Sequence, residues 1–481
     1  MWFTGTSFAA VLPFCVTAGF AVLVLIVDLF LPPGRRNVLA YVSLLGVILA
    51  ALSTALLWGG EALGPGGVIG LDRFSVFFGL VVLLGTGLIL LLSLPYARSE
   101  NVQRVEYYSL ILFATSGAML MVSSLDLVAF FLGLEILSIC LYVLSGFFRE
   151  KSLSVEAGVK YFVLGAFASG FFIYGIALYY GATGTTSYAD LQSMLVAREG
   201  PAIPLVFASF GLLLVGLFFK LGSVPFHMWI PDVYEGAPTT VTGYLATVSK
   251  AAAFAAFIRI FATGVPAVQA DLSRILWVLA VATMTLGNLV AISQTNIKRM
   301  LAYSSIAHAG YILVALTAGS SAGYSSVLFY LLAYTFMTVG AFGVVSLLRK
   351  GGAEALDISS YSGIARRRPL LALAMTVFMV SLAGIPPTAG FFGKFYIFSA
   401  AVGAGYTNLA IIGVLNSLVS VYFYMRIVFL MYMKEEAEEM DAITSRAAIL
   451  AMAICAAGTV LMGVFPSGFA NLAAESVSKL F

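Results

Sequence analysis

From residue 8 onward the chain is a succession of apolar runs, each long enough to cross a bilayer. About 20 apolar residues of helix span the hydrocarbon core. No water is available there to satisfy backbone N–H and C=O groups, so each run must satisfy its own, as a helix does. Runs begin near residues 8, 38, 73, 105, 125, 154, 202, 238, 271, 297, 322, 369, 406 and 444, which predicts fourteen spans. Composition closes off a soluble fold: 61% of residues are hydrophobic and 10% are charged, against about 25% charged in soluble domains. The expectation is an all-α polytopic membrane protein, one continuous helical domain over residues 1–481 in a lipid bilayer. The first run, about residues 8–31, has no basic segment before it and is longer than the apolar core of a signal peptide. It reads as a retained first helix.

Two runs are longer than a span needs and are interrupted. The seventh breaks at Lys220–Pro225 (KLGSVP) and the twelfth at Ala383–Lys394 (AGIPPTAGFFGK). A broken membrane helix is tolerated only where protein or water re-satisfies the freed backbone groups. Breaks five spans apart predict two structural repeats, spans 4–8 over residues 105–263 and spans 9–13 over residues 271–432. Repeats of odd helix number must be inverted relative to each other, the transporter arrangement with half-helices near the midplane. Residues 8–123 hold spans 1–4, and residues 444–481 hold the last span and tail.

Ionisable residues stand inside these spans. A lysine at the bilayer centre costs roughly 2.5–3.5 kcal/mol on insertion scales, so it needs a partner or a wet cavity. Lys220 sits just before the first break, and Lys250 lies about twelve residues into span 8. Glu135 is about ten residues into span 5, His308 is mid-span in LAYSSIAHAGYILV, and Lys394 follows Pro386 and Pro387. Snorkelling to the interface explains lysines near helix ends, but Lys220 and Lys250 are far from the ends of their spans. Desolvation disfavours the charged form of amines and carboxylates alike, and imidazole already titrates near neutrality. One carboxylate, three amines and one imidazole, linked by water, make a proton wire, with Lys220 the natural counter-ion of Glu135. Competing readings stand beside several of these. His308 also suits a core histidine bonded to a carbonyl. Lys160, about six residues into span 6, fits snorkelling as well as function. His227, after the first break, either leads protons outward or caps loosened backbone. Arg259 and Arg426, nearer span ends, read as structural.

Other chemistries find little footing. Cys15, Cys140 and Cys455 lie far apart in apolar spans, with no CxxC, which argues against an iron–sulfur cluster or a zinc site. Two histidines are too few and too distant in sequence for a metal site. No Gly-rich phosphate loop joins a strand to a helix, so no nucleotide site is expected. A net charge of +3, with its basic residues in short loops, gives no basis for nucleic-acid binding. The aromatic content, 14%, suits helix packing and interfacial belts without any cofactor. The acidic run Glu435–Asp441 reads as a solvated face.

The segments LEILSICLYVLSGF, FKLGSVPFHMWIPDVYEGAPTTVTGYLATVSK, IKRMLAYSSIAHAGY and SLAGIPPTAGFFGKFYIF resemble the antiporter-like membrane subunits of respiratory complex I. Those are related to subunits of Mrp-type cation/proton antiporters. The resemblance runs from span 1 to span 14. GAPTTVTGYLATVSK, AYSSIAHAGY and AGIPPTAGFFGKFY are most similar to the subunit N group of NADH:quinone oxidoreductase. Lys394 in place of Glu separates the chain from the M group, and an end after fourteen spans, without a lateral helix, separates it from the L group. The resemblance implies Glu135 and Lys220 as a coupled pair, Lys250 as connecting lysine, His308 as central relay and Lys394 as terminal titratable group. It also implies a proton-translocating subunit of a redox-driven translocase in the bacterial inner membrane, flanked by subunits K and M. Flavin, iron–sulfur clusters and quinone would belong to partner subunits, with no redox centre and no catalytic residue in this chain. A subunit of a sodium/proton antiporter is the alternative. A pure scaffold is the third reading, against which three lysines, two broken helices and one glutamate weigh.

Orientation follows from basic residues in short loops. Loops after odd-numbered spans carry fifteen Lys and Arg, among them Arg35, Arg149, Lys298, Arg349 and Arg366 to Arg368, while the even loops carry only Arg73, Arg198 and Arg274. The odd loops are therefore predicted in the cytoplasm and both termini outside. An Arg367→Cys variant should react with thiol reagents only from the cytoplasmic side, and labelling by an impermeant reagent from outside would overturn this topology.

Overall fold

The computed structural model describes residues 5–32, 35–100, 102–190, 203–264, 269–435, 440–478 and 480. Arg198, Lys479 and residues 436–439 of the acidic run lie outside the described residues. The helices are α1 (Gly5–Asp28), α2 (Asn37–Leu56), α3 (Arg73–Ser99), α4 (Val105–Ser123), α5 (Leu127–Ser145), α6 (Ser152–Thr183), α7 (Ile203–Leu221), α8 (Trp229–Gly236) and α9 (Thr239–Tyr244). A wide π turn, Leu245–Ser249, joins α9 to α10 (Lys250–Gly264). There follow α11 (Gln269–Ile292), α12 (Ile297–Thr317), α13 (Ser321–Leu347), α14 (Pro369–Ala383), α15 (Ala389–Gly403), α16 (Thr407–Met433), α17 (Arg446–Val464) and α18 (Pro466–Val477). Thirteen helices among the described residues are long and apolar enough to cross a membrane, counting α9 and α10 as one. The shorter pair α14 and α15 makes up the interrupted twelfth span, which brings the number to the fourteen expected.

The helices differ widely in burial. The α9–α10 span, α12 and α13 are almost wholly buried, whereas α1, α2, α6, α11, α16 and α17 form an outward-facing rim. Here the solvent is hydrocarbon, so the helices carrying polar side chains gain by turning inward, where those groups find partners.

Both breaks end their first half-helix in the same way. Gly222 has φ +76° and Gly384 has φ +85°, left-handed values that favour glycine. The N–H of Gly222 donates to the Phe218 carbonyl at 2.9 Å and that of Ser223 to the same carbonyl at 3.1 Å. The N–H of Gly384 and of Ile385 repeat this on the Val380 carbonyl, at 3.2 and 3.1 Å. The pattern is a Schellman termination, which satisfies carbonyls that a helix end would leave open. Pro225 and Pro387 stand three residues after their glycines and prevent the helix from resuming at once. A further interruption at Ala237–Pro238, between α8 and α9, and the π turn are features the sequence reading did not anticipate.

The basic residues read as structural behave so. Arg259 of α10 is buried and pairs with Asp72, the N-cap of α3, one of its bonds measuring 2.9 Å. Arg426 donates to the carbonyls of Ile292 and Gln294 at 3.4 and 3.3 Å. Outside the spans, Leu348–Lys350 pairs antiparallel with both Ala353–Glu354 and Asp441–Ala442. Buried Arg349 in this sheet meets Glu100 at 3.1 Å.

The halves of the twelfth span touch so closely that a Cβ at Gly390 would lie 1.8 Å from the Ser381 carbonyl oxygen. Gly390→Ala should therefore destabilise the protein by at least the roughly 1–3 kcal/mol typical of overpacking. Gly403→Ala on the same helix, with nothing within 4 Å of its Cβ, should be tolerated. Membrane levels and thermal unfolding of the two variants measure the difference.

Candidate proton-transfer site

Lys220 lies in the last turn of α7, just before the break, and is 5% exposed. Its Nζ donates to Ser138 Oγ at 2.8 Å and to the Tyr161 hydroxyl at 3.0 Å. Glu135 accepts from the Ser169 hydroxyl at 2.5 Å. Among the described residues no ion pair joins Glu135 to Lys220, so the direct contact expected of the pair is not made. Helix geometry gives the reason. Glu135 is half-buried and bonded to Ser169 of α6, and Ser138, the next residue along the same face of α5, takes the amine in its place. A cavity of about 10 Å³ beside Lys220 is lined by Ser138, Tyr142 and Ser169, the last of these the partner of Glu135. That volume is at the threshold for one water, which needs about 10–15 Å³.

The break is held by Trp229 of α8. Its indole N–H donates to the Phe219 carbonyl at 3.0 Å, and its ring stacks on Tyr161 at 4.4 Å. Trp229 thus caps the loosened backbone, the task the sequence offered to His227. His227 is half-buried beside it, and its Nδ1 meets no partner among the described residues. Lys160 pairs with Glu156 and Asp232, both at 2.6 Å, while Arg299 pairs with Asp232 at 2.9 Å and Glu235 at 2.7 Å. Lys160 therefore belongs to a half-exposed ion network that fastens α8 to α6 and α12. It stands apart from the row of buried groups.

Lys250 opens α10 directly after the π turn. Its Nζ donates to the Ser305 carbonyl at 2.7 Å and to Ser305 Oγ at 2.5 Å. The ring of Tyr334 lies 6.0 Å from Lys250 Nζ. Ser304, beside Ser305 on α12, is hydrogen-bonded to the Tyr424 hydroxyl. That hydroxyl also meets His308 Nε2 at 2.9 Å, while His308 Nδ1 is hydrogen-bonded to Tyr330. His308 is satisfied, but by two tyrosine hydroxyls rather than by a carbonyl. Its ring centroid is 5.7 Å from that of Tyr311, and Lys394 Nζ lies 5.0 Å from the Tyr311 ring.

Lys394 reaches back from α15 across the break. Its Nζ donates to the carbonyls of Leu382 and Ala383, both at 3.0 Å, and to Ser417 Oγ at 2.9 Å. Leu382 and Ala383 end α14, where the helix dipole is negative and carbonyls lack intrahelical partners.

Around Lys220, Lys250, His308 and Lys394 stand hydroxyl partners that the sequence reading passed over: Ser138, Tyr161, Ser305, Tyr330, Tyr424 and Ser417. A signal was available. A tyrosine in a fully buried span must place its hydroxyl on a partner, so tyrosines sharing spans with buried lysines are candidates to receive them. The chemistry of these partners decides what the row can do. Each lysine faces at least one hydroxyl: Ser138 and Tyr161, then Ser305, then Ser417. A hydroxyl accepts from an ammonium and, turned about its C–O bond, donates to a neutral amine. Either protonation state can then be satisfied without moving the backbone. Among the described residues no group of three or more His, Cys, Asp and Glu side chains converges as a metal site would require.

Residues 124–420 match the family described as NADH:quinone oxidoreductase/Mrp antiporter, transmembrane. A protein of Trichlorobacter lovleyi named NADH-quinone oxidoreductase subunit N is 48% identical over 471 residues, 98% of this chain and 97% of its own. A chain of respiratory complex I from Thermus thermophilus, solved with bound aureothin, superposes with a TM-score of 0.82 at 36% identity, covering 96% of this chain and 99% of its own. A chain of the Mrp complex from a Dietzia species superposes at 0.83 with 22% identity over 98% of this chain and 97% of its own, a likeness of fold alone. The chain belongs to the family of antiporter-like transmembrane subunits shared by NADH:quinone oxidoreductases and Mrp antiporters.

Removing the Tyr161 hydroxyl tests its place in this row. Tyr161→Phe keeps the ring that stacks on Trp229 but takes one of two acceptors from a buried amine, a charge-assisted bond worth about 1.5–3 kcal/mol. The assembled protein should persist, and proton transfer through it should fall about tenfold or more. Unchanged transfer would remove Tyr161 from the path.

Proposed function

We propose that this chain is the proton-translocating N subunit of a bacterial complex I, coupling quinone reduction in partner subunits to proton transfer through Glu135, Lys220, Lys250, His308 and Lys394. The observation that carries the reading is the set of three buried lysines, each met by a hydroxyl that serves both protonation states. A scaffold has no use for reversible partners, since fixed ion pairs like that of Arg259 with Asp72 hold helices better. In this reading Glu135 governs Lys220 through Ser138 and the water-sized cavity. With the carboxylate charged nearby, Lys220 keeps its proton. When that charge is neutralised or drawn off, the proton passes by Tyr161 and Ser305 to Lys250, and by His308 and its tyrosines to Lys394. Coulomb energy changes steeply with distance where the dielectric is low, so a displacement of a few ångström suffices.

Electron carriers and the reduced quinone would lie in other subunits, with K and M as neighbours. The chain would sit in the inner membrane with both termini outside. Close identity along nearly its whole length to proteins named for NADH-quinone oxidoreductase supports this assignment over a sodium/proton antiporter.

Glu135→Gln, Lys220→Ala and the double variant should each assemble and each lose most proton pumping and coupled quinone reductase activity. The double should lose little more than either single, because residues acting as a unit are not additive. Fully additive losses in assembled enzyme would mean that the two groups work independently.

A further inference from the structure

We propose that the cleft between the first turns of α14 and α17 binds an anionic phospholipid. The cleft measures about 540 Å³ and is walled by apolar side chains of both helices, among them Leu373, Val377, Ile449 and Met452, with Arg367 and Arg368 at its mouth. Leu373 is 54% exposed and Ile449 63%. Their positions in the first half of each span place these walls at the depth of acyl chains. The mouth lies in the loops whose basic residues predict a cytoplasmic location, where the leaflet is anionic.

Three features of the mouth favour a phosphate. Arg368 has a carboxylate neighbour in Asp441, at 4.0 Å, but that group is 81% exposed. Such a surface pair is worth about 0–1 kcal/mol, whereas a guanidinium can hold a phosphate through two parallel hydrogen bonds. Among the described residues the Nε of Arg368 is buried without a partner. Both helices also begin here, and neither Arg368 nor Ser445 caps its helix with a side-chain hydrogen bond. First-turn N–H groups of two helices therefore add positive potential to the arginines.

A second cleft offers a contrast within the same molecule. It measures about 530 Å³ and is lined by Leu44, Val47, Phe77, Leu84, Ile454 and other residues without a charge among them. It has the walls for an acyl chain and nothing to choose a headgroup. A lipid in the first cleft would brace α14, the half-helix whose last carbonyls receive Lys394.

The test uses the whole assembled complex in lipid nanodiscs with photoactivatable phosphatidylglycerol or phosphatidylcholine, followed by mapping of labelled peptides. Peptides covering residues 369–377 and 448–456 should take phosphatidylglycerol several-fold over phosphatidylcholine, and the preference should weaken at high salt. Peptides lining the uncharged cleft should take both equally. Arg367→Gln with Arg368→Gln should abolish the preference. Ala374→Phe, which fills the groove and keeps both arginines, should abolish labelling and serves where the arginine variant fails to assemble. Equal labelling by the two lipids would overturn the proposal. So would an Ile449→Cys variant that cross-links to a neighbouring subunit, since a protein would then cover the cleft.

Discussion

Everything in this molecule depends on backbone groups that have no water to turn to. Twice the chain breaks a helix inside the membrane, and twice it closes the break with a left-handed glycine whose neighbours return hydrogen bonds to the preceding turn. What remains open is then taken by side chains. The indole of Trp229 serves the carbonyl of Phe219, and the ammonium of Lys394 serves those of Leu382 and Ala383. The cost of breaking a helix in hydrocarbon is thereby offset, and the offset fixes the charged groups in place. Lys394 stands where it does because a helix end needs a donor as much as because an amine needs acceptors.

The two breaks share a frame but use it differently. Two residues before the glycine stand Lys220 in the first repeat and Leu382 in the second, and ten residues after it stand Asp232 and Lys394. The first repeat thus sets its lysine ahead of the break and spends the later position on a carboxylate. That carboxylate pairs with Lys160 and Arg299 and fastens the short half-helix α8 to α6 and α12. Since α12 carries Ser304, Ser305 and His308, and α6 carries Tyr161, this ion network ties the acceptor of Lys220 to the acceptor of Lys250. The second repeat sets its lysine behind the break, deep in the bundle. One backbone device therefore supports an anchored half-helix in one place and a buried amine in the other.

Hydroxyls, more than ion pairs, give the interior its chemistry. A buried pair of fixed charges holds two helices together and resists change, as Arg259 and Asp72 do. An amine among serines and tyrosines is held as firmly by geometry, but its proton is not committed. The lysines of the row are of the second kind, and so is His308 between Tyr330 and Tyr424. Glu135 alone brings negative charge to the row, and it is half-buried and bonded to Ser169, with no ion pair to Lys220 among the described residues. That separation lets the carboxylate influence the amine without locking it.

The sequence by itself determined the number of spans, both breaks and the five titratable positions. Runs of apolar residues, Gly–x–x–Pro interruptions and charge inside hydrocarbon each carry a cost large enough to be visible along one chain. It did not determine partners. Glu135 and Lys220 read as a direct pair, but the amine goes to Ser138 and Tyr161 and the carboxylate to Ser169. His227 read as either a proton exit or a cap of the first break, and the cap is Trp229; His308 read as either a relay or a core histidine bonded to a carbonyl, and its partners are two tyrosines. Lys160 read as snorkelling or functional and joined an ion network with α8. Serines cost little in an apolar helix when they bond their own backbone, and a buried tyrosine needs some partner, but neither fact marks which of them turns toward a lysine. Only the packing of α5, α6, α12, α13 and α16 around the broken helices decided that, since a hydrogen bond between spans requires an approach that no single span encodes.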